Sequence, residues 1–143
     1  MLIRTSRFGE LDIDPEKILL FPRGIPGFEY AKKYSLIEYK DGRFNWLQAV
    51  DDPDLAFIVC DPAMFSLTYI VPKSILETLG IKKEDDLAIL LIVKVDRTAQ
   101  KVIPHVQAPL LFNTATREGI QWVLDKNELE SSVSVIDEEK VAG

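Results

Sequence analysis

The sequence predicts a mainly β fold: a highly curved antiparallel sheet or small β-barrel-like single domain carrying one or two short helices. Short apolar, β-branched runs recur at near-regular spacing, clusters of Gly, Pro and Asp separate them, and only one segment carries a full set of helix signals. A length of 143 residues suits one domain, and 47% hydrophobic against 28% charged residues is enough to pack an interior.

Leu2 to Phe8 is apolar and β-branched without helical spacing, and Gly9 follows it, so an opening strand and a turn are expected, with Leu11-Asp12-Ile13-Asp14 continuing the hairpin. Asp14-Pro15-Glu16-Lys17 offers an N-cap with proline at the first helical position, enough for one turn before a strand over Ile18 to Phe21. Phe21-Pro22-Arg23-Gly24-Ile25-Pro26-Gly27-Phe28 holds two prolines and two glycines and predicts a shaped loop. Residues 34–39, 44–50 and 55–60 read as a three-stranded meander, broken by Lys40-Asp41-Gly42-Arg43 and Asp51-Asp52-Pro53-Asp54.

Phe65 to Val71 alternates and predicts a strand with one wet face, on which Phe65, Leu67 and Tyr69 stand together. Pro72 to Gly80 is the clearest helix, opened by proline and ended by glycine. Leu87 to Val95 suits a strand buried on both faces, and Lys101 to Val106 pairs with it as an edge or bulge because of Pro104. Leu110-Leu111-Phe112 and Gly119 to Leu124 supply the last strands. The domain is therefore expected over 1–124. An acidic C-terminal tail, mobile apart from the apolar patch Val133-Ser134-Val135-Ile136, is expected over 125–143.

Charge restricts the partners. The net charge is −6, and the tail supplies −4 of it. Nucleic-acid affinity comes largely from Lys and Arg neutralising phosphates, so direct DNA or RNA binding is not expected. The longest apolar run, Leu87 to Val93, falls far short of the roughly 20 residues that span a bilayer, so no membrane partner is expected. The N-terminus lacks a basic stretch and apolar signal core, and the lone Cys60 cannot form an internal disulfide; a cytoplasmic protein fits.

Candidate chemistry is sparse. His105 is the sole histidine and shows no close ligand spacing to Cys60 or to carboxylates, so neither a metal nor another cofactor is expected. Cys60 sits in Ala56-Phe57-Ile58-Val59-Cys60, an apolar setting that raises a thiol pKa and opposes attack. The alternative of a small-barrel module for nucleotides, cyclic dinucleotides in particular, rests on Arg4 and Arg7. Their R-x-x-R spacing departs from the R-x-x-x-R and D-x-S-x-x-G pattern of such domains. No catalytic residues are assigned, and the chain is expected not to be an enzyme. Two groups remain as candidate protein-binding residues. Asp51, Asp52, Asp54 and Asp61 form an acidic stretch without a compensating base, suited either to a solvated turn or to docking a basic protein. Phe65 and Tyr69 are candidate aromatic anchors or core residues.

Phe21-Pro22-Arg23-Gly24-Ile25-Pro26-Gly27-Phe28-Glu29 resembles a specific element of the flagellar assembly factor FliW family. The resemblance continues through Trp46-Leu47-Gln48-Ala49-Val50, Leu55-Ala56-Phe57-Ile58-Val59, Asp61-Pro62, Gln107-Ala108-Pro109-Leu110-Leu111-Phe112-Asn113-Thr114 and Gly119-Ile120-Gln121-Trp122-Val123-Leu124. It covers residues 2–124 in the family's order and spacing. One departure is Pro104-His105-Val106, where the family commonly has alanine, asparagine and leucine. The resemblance implies a cytoplasmic chaperone and regulator of flagellum biogenesis. It would bind newly made flagellin and, when free, bind the RNA-binding translational regulator CsrA and antagonise it allosterically, so that flagellin secretion is coupled to translation.

Overall fold

The structure, a computed structural model, describes residues 1–39 and 42–136. Of the turn expected at Lys40-Asp41-Gly42-Arg43, Lys40 and Asp41 lie outside the described residues, as do the tail residues Asp137, Glu138, Glu139 and Lys140.

Strands β1 (Leu2–Thr5) and β2 (Gly9–Asp12) form a separate antiparallel hairpin with Ile3 opposite Leu11. Asp14 then caps a 3-10 turn over Pro15–Lys17 by accepting from the Glu16 backbone N–H at 2.9 Å. The strand that follows is β3 (Leu19–Leu20), and after the Phe21–Phe28 loop β4 (Lys33–Tyr39), β5 (Phe44–Ala49) and β6 (Ala56–Cys60) make the expected meander. A short β7 (Leu67–Tyr69) and helix α1 (Lys73–Thr78) lead to β8 (Leu87–Asp96) and its partner β9 (Lys101–Pro104). The chain closes through β10 (Leu110–Asn113), β11 (Gly119–Gln121), α2 (Lys126–Ser132) and β12 (Val133–Val135).

The main sheet runs β11-β10-β8-β6-β5-β4-β3, with β9 paired to β8 beside β10. It curls until its two end strands meet, yet they meet at one parallel bridge, Leu20 to Glu118, where the Leu20 N–H donates to the Arg117 carbonyl at 2.8 Å. Two residues of β3 cannot build a closing ladder, so the expected barrel is an open, strongly curved sheet.

Each face carries a core. Successive residues of a strand point to opposite faces, so Leu47, Val59 and Leu110 join Phe21, Ile25 and Tyr34 inside the curl. Cys60, Leu91 and Leu111 point the other way, against a second layer of Tyr69, Leu79, Trp122 and Leu124. Burial on both faces accounts for the unbroken apolar reading of β8.

Two elements differ from the sequence expectation. The strand expected from Phe65 begins only at Leu67, because Asp61 caps a 3-10 turn over Pro62–Phe65 and Ser66 adopts a left-handed φ of 55°. The segment from 125 onward, read as tail, folds onto the domain as far as it is described. Asp125 and Glu128 form a reciprocal capping box on α2, and β12 pairs with β7, Val133 opposite Tyr69.

Candidate functional site

The Phe21–Glu29 element is a folding device. Phe21 is buried, packs edge-on against Tyr34 with ring centroids 5.6 Å apart, and fills the space in which Gly119 lacks a side chain. Gly24 has a φ of +73°, and a Cβ there would stand 2.6 Å from the Glu29 Cα. The Gly27 N–H donates to Glu29 Oε1 at 2.9 Å, and hydrogen bonds from the backbone of Gly27 first and then of Glu29 itself lower the Glu29 pKa. Ile25 and Phe28 close the loop onto the core, with Phe28 edge-on to Phe57 at 5.2 Å. Beside it Ile25, Pro26 and Phe28 line a pocket of about 270 Å³ together with His105, Gln107 and Gln121. The loop thus meets the 107–114 and 119–124 stretches that carry the family resemblance, and His105 of the departing tripeptide stands in the same pocket.

The β5–β6 connection is built around a buried amide. Gln48 is fully buried, and its Nε2 lies 3.1 Å from the carbonyl oxygens of Ala49, Asp52 and Leu55 and 3.3 Å from that of Pro53. This pins the loop that displays the acids. Asp52 accepts from the Tyr30 hydroxyl at 2.8 Å and from the Asp54 N–H at 3.0 Å, Asp54 accepts from the Ser6 hydroxyl, and Asp51 is exposed. The bond to Asp52 raises the Tyr30 pKa.

The six candidate residues do not form one site. Asp51, Asp52 and Asp54 share the loop before β6, whereas Asp61 follows β6, five extended residues or about 17 Å away. That separation is about two screening lengths at physiological salt, so the acidic stretch is not one electrostatic patch. Asp61 instead caps its 3-10 turn, its carboxylate accepting from the Ala63 N–H at 2.8 Å, and lines a groove of about 520 Å³ with Leu67, Tyr69, Leu87 and Ile136. Tyr69 is a core residue whose hydroxyl donates to the Val106 carbonyl at 2.6 Å, and Phe65 is half-buried against the same cluster. They do not share a strand face, since Phe65 precedes the left-handed Ser66.

Nor do Cys60 and His105 converge. Cys60 points into the second layer and is 1% exposed; burial first, then the neighbouring Asp61, push its thiol up to about 11. His105 is exposed in the pocket beside Phe28, Phe57 and Ile92, on the other face of the sheet. The two basic residues also part: Arg4 stands opposite Glu10, and Arg7 lies over the Trp46 ring. Among the described residues no His, Cys, Asp and Glu group could hold a metal ion, and no helix is long and apolar enough to cross a membrane.

Comparison with known proteins decides the family. The family model described as "FliW protein" matches residues 2–135. The chain belongs to the FliW family. The flagellar assembly factor FliW of Alkaliphilus metalliredigens is 36% identical over 142 residues, spanning 96% of this chain and 88% of the relative. That of Syntrophotalea carbinolica is 40% identical over 129 residues, with 88% and 91% covered. A crystal structure of the flagellar assembly factor FliW superposes with a TM-score of 0.80 at 30% identity, covering 88% of this chain and 90% of the other. The FliW match runs past 124 and takes in α2 and β12, in keeping with the packing of those elements against β7.

Proposed function

We propose that this chain is a cytoplasmic, non-catalytic protein that captures newly made flagellin and, when released from it, binds CsrA and antagonises it allosterically. Membership of the FliW family across residues 2–135 carries the proposal. The acidic edge formed by Asp51, Asp52 and Asp54 suits the second task, because it is displayed on a loop held by the Gln48 amide. Placed beside a basic RNA-binding protein, such an edge lowers the local potential for phosphate, on which counterion-driven affinity depends steeply. Flagellin capture asks for apolar shelter. The groove bounded by Leu67, Leu87 and Ile136 offers it, with Asp61 at its rim, Tyr69 as wall and Phe65 in the adjoining turn.

Isothermal titration calorimetry of the full chain against purified flagellin and purified CsrA tests the proposal, with RNA filter binding as the readout of antagonism. Saturable heats with both partners and loss of RNA retention are expected. Absence of heat with either partner at micromolar concentration refutes it.

A further inference from the structure

The second layer buries Val93 and packs against Phe44 and Ile58, and stops short of Trp46, Val95 and Val102 beside them on the outer sheet face. Strand alternation and register place Phe44, Trp46, Ile58, Val93, Val95 and Val102 on one side, and together they line a groove of about 250 Å³. Their neighbours on the same face, Cys60 and Leu91, are covered by that layer; Val95 and Val102 are 45% and 38% exposed. β6 pairs with β8 only at Ile58–Cys60, so the distal part of β8 and β9 projects as a ribbon supported from one side. An isolated two-stranded ribbon is marginal in water, and contiguous exposed apolar surface marks a contact site.

Size and charge select what fills it. A volume of about 250 Å³ lies below the roughly 300–1,000 Å³ of small-molecule pockets, and suits one or two side chains of a protein segment. The chain as a whole carries −6, yet a guanidinium stands at this groove. The Arg7 guanidinium sits 4.4 Å above the Trp46 ring, and Phe8 packs edge-on to the same indole at 5.8 Å. Stacking engages one face of the guanidinium and leaves its in-plane N–H fork available to a carboxylate. Lys94 and Lys101 alternate with the groove valines and point to the opposite face, so Arg7 is the cation that strand register leaves at the groove.

We propose that this groove seats a large apolar side chain from an acidic segment of a partner protein, with a carboxylate of that segment held on Arg7. The proposal rests on the chain's acting by contact with other proteins. It gives two adjoining surfaces different occupants, meeting where Ser6, next to Arg7, donates to Asp54: the Asp51–Asp54 edge favours a basic partner, and the Trp46 groove an acidic one.

The test is selection of a random-peptide display library on the immobilised full chain, followed by anisotropy titration of the enriched peptides. Enriched sequences should join a large apolar residue to an acidic one, and Arg7→Glu and Val102→Asp should each weaken their binding about tenfold. Melting curves check folding, with Val95→Ser as a milder second groove variant. A selection that enriches no acid, or binding indifferent to Arg7→Glu and to both groove variants, overturns the proposal. So does self-association of the wild-type chain that the same substitutions abolish, which would seat a second copy in the groove. The peptide selection needs neither flagellin nor CsrA, so failure of those partners to bind is distinguishable from failure here.

Discussion

Gly24→Ala is the sharpest perturbation of the loop that marks the family. Gly24 is buried at a φ of +73°, and an added Cβ would lie 2.6 Å from the Glu29 Cα and 3.0 Å from the Glu29 carbonyl oxygen, backbone atoms that cannot swing aside. A left-handed backbone costs an L-residue about 1–2 kcal/mol. Forcing the Glu29 backbone away adds about 1–3 kcal/mol, the usual scale of overpacking. Gly9→Ala isolates the first contribution, because Gly9 has a matching φ of +68° with nothing within 4 Å of its would-be Cβ. Urea unfolding followed by far-UV circular dichroism should therefore show a loss of about 1–2 kcal/mol for Gly9→Ala and about 2–5 kcal/mol for Gly24→Ala. In a domain of this size the difference is several degrees in melting temperature. Equal losses in the two variants would refute the idea that loop closure against Glu29, and not turn geometry alone, demands the glycine.

Gln48→Leu should cost about 2–4 kcal/mol in urea unfolding, by stripping the N–H donors from the carbonyls of Asp52 and Pro53, and should speed hydrogen exchange over 50–55. Reversing Asp51, Asp52 and Asp54 to lysine should weaken CsrA binding, mainly through a slower on-rate and a shallower salt dependence, whereas Asp61→Lys alone should leave both nearly unchanged; calorimetry and stopped-flow mixing read the difference. Burial pushes the Tyr34 and Tyr69 hydroxyls up to about 12 and the Cys60 thiol up to about 11, so these groups ionise more readily in the unfolded chain. Their stabilising contribution is complete below the ordinary values of 9.0 and 10.0 and is lost as pH rises toward 11 and 12, which melting curves across that range should show. Tyr34→Phe should be close to neutral at pH 7, since the buried hydroxyl has no partner among the described residues, while Tyr69→Phe should cost about 1 kcal/mol by losing its bond to Val106.

Local cues were legible wherever their effect reaches no further than a turn. Asp14-Pro15 capped its 3-10 turn as expected, and the glycines at 24 and 27 took positive φ in the loop predicted for them. Two further cues of the same kind stand in the sequence. Asp61-Pro62 repeats the Asp-Pro signal of residues 14 and 15, and it turns the presumed strand start at Phe65 into a 3-10 turn. Asp125 with Glu128 ahead of Leu129 is a capping-box pattern, and it opens a helix where polarity alone suggested a tail. The left-handed Ser66 that finishes the separation of Phe65 from Tyr69 carries no comparable signal, since serine gives no warning of a positive φ.

By itself the sequence determined the β class, the meander, the family element and the double-sided burial of β8, because strand period and turn chemistry are written within a few neighbouring residues. Only the tertiary structure decided that the curl ends at one bridge, that Asp61 stands a strand's length from Asp51, Asp52 and Asp54, and that Arg7 comes to rest on Trp46. Those outcomes depend on which strands pair and how far each ladder runs. Residues near in sequence are carried to opposite ends of a strand, and residues far apart are laid side by side, by contacts that no local pattern encodes.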